Sequence, residues 1–279
     1  LFENQNKLVR LELNYNNIEY LLNGAFIGLI NLEYLEMKSN KLRYIEPFSI
    51  RYLTRLKSFH LEKNSLSEFD LKSMPRQLNE IDLSFNQIKK ISTFKLQLNK
   101  LVKIKLSYNN LKTIENDWFN TLFNLRDLNL DNNYLGFLKK DYFSNLFGLY
   151  YLDLSFNQIS SIQMDTFMSM TKLLELDLSS NCLFFLNRNL FRNLENLRSL
   201  KLNDNRIKHL NSFVFENLKS LSFLNMSNNL LQNFTKLKDL LLKILPLEDT
   251  EKIHKYRFGN PAFRIWLDEA KLAIHQSIE

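Results

Sequence analysis

One pattern of apolar residues returns ten times along the chain and constrains its fold more than any other feature. The pattern is LxxLxLxxNxL, where x is any residue and other apolar residues replace leucine in some copies. The copies begin at Leu8, Leu32, Leu56, Leu78, Leu101, Leu125, Leu149, Leu173, Leu197 and Leu221. Neighbouring starts lie 24 residues apart, except for 22 after Leu56 and 23 after Leu78. Ten copies in one register indicate a stack of one repeated structural unit.

The spacing within each copy predicts how the units fold. Apolar residues at frame positions 4 and 6 have the period of two that is typical of a short strand with one buried face. A single unit cannot bury its apolar side alone, so stacking builds a continuous core and a parallel sheet. The pattern resembles the leucine-rich repeat family in its 24-residue form, over about residues 8–234. This resemblance implies an α/β repeat solenoid, a horseshoe whose concave side is the parallel sheet.

The first seven residues also belong to this pattern. LFENQNK at 1–7 aligns with LFRNLEN at 190–196, which is the closing third of a repeat. We therefore expect the chain to begin inside a repeat and to be a fragment of a longer protein.

Two further series recur at the repeat period. An asparagine at position 9 follows each predicted strand, where its amide can bond to backbone groups in a sharp turn. Stacked, these residues predict a structural ladder of Asn16, Asn40, Asn64, Asn86, Asn109, Asn133, Asn157, Asn181, Asn205 and Asn229.

A phenylalanine at position 19 predicts core packing on the convex side. The two short repeats lack it and carry Met74 and Phe94 nearby, so we expect an irregular outer face there.

Charge and motif content argue against several classes of function. The formal net charge is +7, but lysines are spread among acidic residues, so we expect no nucleic-acid partner. The single cysteine, Cys182, excludes an internal disulfide framework and a cysteine zinc cluster. No apolar run approaches the roughly 20 residues of a membrane helix. The repeat region contains no sequence motif of catalytic residues, metal ligands or cofactor binding, so we expect a binding protein rather than an enzyme.

The outward-pointing strand residues are predicted to line the concave face and to form the binding surface. Frame positions 3, 5 and 8 carry acids, lysines and aromatic side chains, a mixture that suits a protein ligand. The candidate binding residues are Glu80, Asp82, Phe85, Lys103, Lys105, Tyr108, Asp127, Tyr151, Asp153, Phe156, Glu175 and Asp177. An alternative stays open, because LDLSFN at 152–157 is also a common form of the repeat. In that case Asp153 and Phe156 serve the geometry of the solenoid.

Residues 235–279 depart from the repeat. Apolar residues between 237 and 244 have helical spacing, so we expect a short helical segment after the solenoid. Further on, RFGNPAFRIW at 257–266 offers Gly259 for a turn, Asn260 as a helix N-cap and Pro261 at the first helical position. A C-terminal helix that caps the solenoid is one interpretation of this stretch.

The same stretch also resembles a signature of the phosphatase 2A activator family, the phosphotyrosyl phosphatase activators. The resemblance covers about residues 237–279 and is carried by Arg257, Phe258, Gly259, Asn260, Phe263 and Trp266. It implies an all-helical fold, a serine/threonine phosphatase partner and peptidyl-prolyl isomerase activity with ATP and magnesium. The sequence stops at Glu279, before the family's nucleotide- and peptide-contacting segments. We therefore assign no catalytic residue and expect no isomerase activity.

Three interpretations of function follow from the sequence. The leading prediction is a recognition module that binds a protein ligand of unknown identity on its concave face. The first alternative is a truncated phosphatase 2A activator-like protein in the cytoplasm, with a phosphatase bound through the tail. The second is an extracellular or cell-surface receptor ectodomain, in which Asn225 and Asn233 would be glycosylation acceptors.

Overall fold

A computed structural model describes residues 2–71, 74–92, 98–115, 118–211 and 213–231. These ranges contain strands, turns and 3₁₀ residues, including the 3₁₀ helix Lys140–Phe143, but no α-helix. The α/β class predicted from the resemblance is therefore wrong for them, and they form a β-solenoid of parallel strands. The predicted C-terminal helical segment and the whole tail motif lie outside the described residues.

Each repeat contributes one short strand to the concave side, and within the described residues six repeats add a second strand on the flank. The sixteen strands of the described residues are β1 (Arg10–Glu12), β2 (Tyr20–Leu21), β3 (Tyr34–Glu36), β4 (Tyr44–Ile45), β5 (Ser58–His60), β6 (Glu68–Asp70), β7 (Glu80–Asp82), β8 (Lys90–Ser92), β9 (Lys103–Lys105), β10 (Asp127–Asn129), β11 (Phe137–Leu138), β12 (Tyr151–Asp153), β13 (Ser161–Ile162), β14 (Glu175–Asp177), β15 (Ser199–Lys201) and β16 (Phe223–Asn225). The flanking strands pair as β2–β4, β6–β8 and β11–β13.

The concave strands form one parallel sheet, as the repeat pattern predicts. Their order is β1-β3-β5-β7-β9-β10-β12-β14-β15-β16, and every pair is parallel. Equivalent frame positions face each other across each pair, so positions 3, 4 and 5 form straight rows. From β3 onward the middle residue of each concave strand is buried, as Leu152 is between Tyr151 and Asp153. Positions 3 and 5 therefore point away from the core.

The described convex side has turns instead of α-helices, and its dimensions explain why. Neighbouring strands of a sheet lie about 4.8 Å apart, whereas an α-helix with its side chains is about 10 Å wide. A helix in every coil would therefore push neighbouring coils apart on that side. Isolated turns need less width, and they are closed by bonds such as Leu29 N to Phe26 O at 3.2 Å and Leu32 N to Leu29 O at 3.1 Å.

The asparagine at position 9 joins each coil to the preceding one. The Nδ2 of Asn109 donates to the carbonyl oxygen of Leu83 at 2.9 Å in the preceding repeat and to that of Leu106 at 3.1 Å in its own. Its Oδ1 accepts the backbone N–H of Ile88 at 2.9 Å. The same three contacts recur at the other ladder asparagines from Asn40 onward. Side-chain bonds thus link the coils in addition to strand pairing.

The residue before each ladder asparagine has a left-handed backbone, a feature that the sequence pattern does not reveal. In all ten repeats the φ angle at position 8 lies between 51° and 58°. Only Asn132, Asp204 and Asn228 among these ten are of a residue type that tolerates this conformation well, and none is glycine. Such a conformation costs about 1–3 kcal/mol where the surrounding structure imposes it. The adjoining asparagine bonds hold the turn together with a backbone bond to the next coil, such as that from Tyr108 N to Asp131 O at 3.1 Å.

A column of phenylalanine rings fills the convex side of the core. Successive ring centroids lie 5.9–6.4 Å apart along Phe119, Phe143, Phe167, Phe191 and Phe215. At the other end, the ring of Phe2 lies 6.3 Å from that of Phe26, and Ile50 takes the equivalent buried place in the next repeat. In the first of the two short repeats Met74 is buried instead, and Phe94 lies outside the described residues.

Replacing Asn109 with alanine should lower the free energy of unfolding by about 2–4 kcal/mol. The substitution leaves the buried N–H of Ile88 without a partner, which costs about 1–3 kcal/mol. It also removes the bonds to the carbonyl groups of Leu83 and Leu106, which add about 1 kcal/mol because these groups keep the amides of Asn86 and Asn133 as donors. Urea unfolding followed by circular dichroism measures the loss.

Asn16→Ala is the matched control for this prediction. Asn16 is exposed, and the hydrogen bonds that its side chain donates within the described residues go to the carbonyl groups of Leu13 and Asn14 in its own turn. Its replacement should cost less than about 1 kcal/mol. Equal losses in the two variants would contradict the role of bonds between coils.

Candidate binding surface on the concave face

The candidate residues of the sequence lie on one continuous face of the sheet. They occupy strands β7 (Glu80, Asp82), β9 (Lys103, Lys105), β10 (Asp127), β12 (Tyr151, Asp153) and β14 (Glu175, Asp177). The register places Tyr151 between Asp127 and Glu175, and Asp153 beside Asp177. Phe85, Tyr108 and Phe156 follow their strands at position 8 and are exposed.

A cavity of about 280 Å³ opens on this face above β9, β10, β12, β14 and β15. Seven of the twelve candidates line it, namely Lys103, Lys105, Asp127, Tyr151, Asp153, Glu175 and Asp177. Asn129, Ser199 and Lys201 complete the polar lining. The sequence therefore predicts much of this lining, but it does not predict that the sheet forms a concavity at these repeats.

The aspartates at position 5 also support the turn that follows each strand. The Oδ1 of Asp153 accepts hydrogen bonds from the backbone N–H and the hydroxyl of Ser155, at 2.9 and 2.7 Å. Asp177 makes the same two contacts with Ser179, at 2.9 and 2.6 Å. Such side-chain bonds to the backbone two residues ahead stabilise turns. One oxygen of each carboxylate thus serves the repeat geometry, and the second oxygen can make other contacts.

Two lysines of the face are already paired along the position-5 row. The Nζ of Lys105 lies 2.9 Å from Oδ2 of Asp82, and the Nζ of Lys201 lies 2.8 Å from Oδ2 of Asp177. In both cases the hydrogen bond to the carboxylate raises the lysine pKa, while partial burial opposes the rise. Each of these two lysines therefore already has an aspartate of the face as a direct partner.

Asp153 is a carboxyl group of the cavity whose surroundings disfavour its ionisation. Burial raises the pKa of Asp153 above its ordinary value, and the charges of Asp177 and Asp131 add to the rise. The hydrogen bonds from Ser155 act in the opposite direction but do not cancel it. A positive charge close to Asp153 would stabilise the ionised form of its carboxyl group.

Two polar partners of Glu80 were not among the sequence candidates. The hydroxyl of Ser58 and the Nε2 of His60 both lie 2.8 Å from Oε1 of Glu80. Although burial has the opposite effect, these hydrogen bonds hold the pKa of Glu80 below its ordinary value. The repeat frame could have predicted the contact between Ser58 and Glu80, since both residues occupy position 3 of neighbouring repeats.

Aromatic rings give the same face an apolar component. The rings of Phe85 and Tyr108 stack with centroids 4.3 Å apart and planes 8° apart. The Nζ of Lys63 lies 5.8 Å from the centroid of Phe85. Tyr151 and Phe156 are exposed over 41% and 58% of their surface. These rings are large apolar groups that remain available to a ligand.

Metal-ligand groups and membrane-spanning helices are two features that the described part of the chain does not contain. Within it, no group of three or more histidine, cysteine, aspartate or glutamate residues is arranged to hold a metal ion. The same ranges contain no helix with the length and apolar character needed to cross a membrane.

Comparison with protein families identifies the class of protein. Five segments match the family model described as leucine rich repeat, at residues 6–66, 76–135, 123–183, 147–207 and 175–231. The chain therefore belongs to the leucine-rich repeat family, and the resemblance drawn from the ten repeats is confirmed. The comparisons do not support the resemblance of residues 237–279 to the phosphatase 2A activators, and neither an activator-like tail nor a phosphatase partner is supported.

Individual relatives share the repeat region. Osteomodulin of Rattus norvegicus is 31% identical over 128 residues, which are 44% of this chain and 30% of osteomodulin. The protein in the crystal structure of a TLR13-ssRNA13 complex is 30% identical, with a TM-score of 0.69 over 75% of this chain and 32% of that chain. The leucine-rich repeat domain of APL1B, at 24% identity, has a TM-score of 0.73 over 88% of this chain and 67% of that chain. This chain thus spans under a third of osteomodulin and of the TLR13 chain.

Asp153→Asn should stabilise the protein at about pH 7 and have little effect at about pH 3. Because the pKa of Asp153 is raised in the folded state, its contribution to stability falls as the pH rises from the unfolded value of 3.8 through the folded value. The amide keeps the acceptor for Ser155, as Asn225 does for Ser227. Thermal unfolding across this pH range measures the difference in melting temperature.

Asp177→Asn is the control, because it carries the same change one strand away but breaks the contact with Lys201. We expect it to gain no stability at neutral pH. A melting temperature of Asp153→Asn that falls below that of the unmodified protein at neutral pH would contradict the raised pKa.

Proposed function

We propose that the chain is a recognition module that binds a protein ligand through its concave face. Membership of the leucine-rich repeat family supports this at the level of protein–protein recognition and leaves the ligand unspecified. The observation that carries the proposal is a set of exposed aromatic rings beside charged groups on one continuous sheet face. These rings are Phe85, Tyr108, Tyr151 and Phe156.

The physical character of these rings favours a protein ligand. Aromatic side chains bury a large apolar area while losing few torsional degrees of freedom, and they are enriched among residues that dominate binding energy. Phe85 and Tyr108 are already stacked on each other, so little ordering remains to be done on binding. Charged neighbours such as Asp82 and Lys105 add directional contacts around them.

A nucleic-acid ligand is less well matched to this surface. The related TLR13 protein was crystallised in a complex with an ssRNA, and this chain carries a net charge of +7. The cavity of this chain, however, is lined by four carboxyl groups: Asp127, Asp153, Glu175 and Asp177. Two of its three lysines are held by aspartates. Affinity for nucleic acid depends on cations that contact phosphates, so this arrangement disfavours it.

The proposal is tested by screening the full chain against an array of purified secreted and membrane-protein ectodomains. We expect at least one ligand whose Kd rises by about tenfold or more, equivalent to about 1.4 kcal/mol, in Tyr108→Ala and in Phe156→Ala. The reason is that each variant loses an exposed ring that the ligand would bury. Biolayer interferometry measures the affinities.

Phe147→Ala is the matched control, since Phe147 is 50% exposed but lies outside the concave strands. Its affinity for the same ligand should stay within about twofold of that of the unmodified chain. A ligand that is lost with Phe147→Ala and kept with both concave variants would place the binding surface elsewhere and refute the proposal.

A further inference from the structure

The charges of the concave cavity do not balance. Lys105 and Lys201 contact Asp82 and Asp177 directly, and the charge of Lys201 also acts on Asp153 and Glu175 without an ion-pair contact to either. Among the described residues, Asp127, Asp153 and Glu175 take part in none of the ion pairs that the structure shows.

Lys103 is the third lysine of the lining, and it cannot neutralise all three of these groups. It lies beside Asp127 in the register, and its charge also acts on Glu80 on the opposite neighbouring strand. The cavity therefore carries an excess of negative charge in a chain whose overall net charge is +7.

Asp153 has one carboxylate oxygen that is free to contact a ligand in the cavity. Its Oδ1 is occupied by the two bonds from Ser155, and its Oδ2 makes no hydrogen bond that the structure shows among the described residues. The group lies beside Asp177 in the sheet and lines the cavity. A positive group in the cavity would relieve the repulsion between neighbouring carboxylates.

An aromatic ring stands between two of the unpaired carboxyl groups. Asp127, Tyr151 and Glu175 occupy the same frame position on the adjacent strands β10, β12 and β14. Neighbouring strands lie about 4.8 Å apart, so a carboxyl group flanks the ring on each side. The ring is 41% exposed and lines the cavity. A flat cation can stack on such a ring and donate hydrogen bonds to the carboxylates beside it.

We infer that this cavity receives an arginine side chain of the protein ligand, with Tyr151 stacking on the guanidinium group and Asp127 and Glu175 accepting its hydrogen bonds. The inference rests on the proposed function, because it specifies the chemistry of the ligand that the concave face binds. Arginine fits better than lysine, since its guanidinium group is planar, donates in two directions and is more weakly hydrated than an ammonium group. An acidic ligand would be repelled by the unpaired carboxylates. Two of the three lysines that could attract it already contact aspartates.

The test is a titration of the full chain with an acetylated and amidated arginine tetrapeptide at low ionic strength, followed by amide chemical shifts. We expect shift changes on β10, β12 and β14, and weaker binding of the equivalent lysine peptide. In the double variant Asp127→Asn/Glu175→Gln the Kd should rise by about tenfold or more, because both charged acceptors are lost. Both substitutions keep the size of the side chain, and circular dichroism verifies the fold.

Glu12→Gln is the matched control, because Glu12 is an exposed acid on the same sheet at β1, far along the stack from the cavity. It should bind the arginine peptide as the unmodified chain does. Equal binding by the double variant, shift changes that avoid these three strands, or tighter binding of a glutamate tetrapeptide would each overturn the inference.

The outcome separates this inference from the proposed function. A protein ligand that depends on Tyr108 and Phe156, combined with failure of the arginine peptide, refutes the arginine site alone. An arginine peptide that binds as expected, in a chain for which no ectodomain depends on those rings, refutes the proposed function while the cation site stands.

Discussion

The hydrogen bonds of one asparagine per repeat are the interaction on which the rest of this solenoid depends. Each asparagine from Asn40 onward bonds to a carbonyl group and an N–H group of the preceding coil as well as to its own turn. These contacts satisfy buried backbone groups that would otherwise lack partners where the chain leaves the sheet. They also hold the left-handed residue before each asparagine, and so they fix the register in which the strands stack.

A fixed register determines which outward side chains lie next to each other. Because equivalent positions form straight rows, Tyr151 stands between Asp127 and Glu175, and Asp153 stands beside Asp177. Repulsion between neighbouring carboxylates opposes folding, and it is tolerated here because the ladder and the buried core stabilise the sheet independently. Asp153 illustrates this conflict, since its environment raises its pKa while its second oxygen remains available to a cationic ligand. Such a cost in stability is what we expect if the cavity is the binding site that we propose.

The sequence predicted the sheet and the direction of its side chains, because both follow from a strict period. Leu152 is buried between outward-pointing Tyr151 and Asp153, as alternation requires. It did not predict that Lys105 pairs with Asp82 rather than with a residue on its other side, since that choice depends on side-chain conformation. Nor did it predict turns on the convex side, because the α/β class came from a family resemblance rather than from a helical period. The activator motif at 257–266 was too short to define a relationship.

Amide hydrogen exchange at frame position 11 tests the ladder most directly. Its N–H group is bonded to the asparagine of the next coil rather than to another strand, at Ile18, Leu42, Leu66, Ile88, Leu111, Leu135, Ile159, Leu183 and Ile207. If the asparagines join the coils, these amides exchange as slowly as those of the neighbouring concave strands. Exchange at the rate of exposed loops, with the strands still protected, would show that strand pairing alone holds the solenoid together.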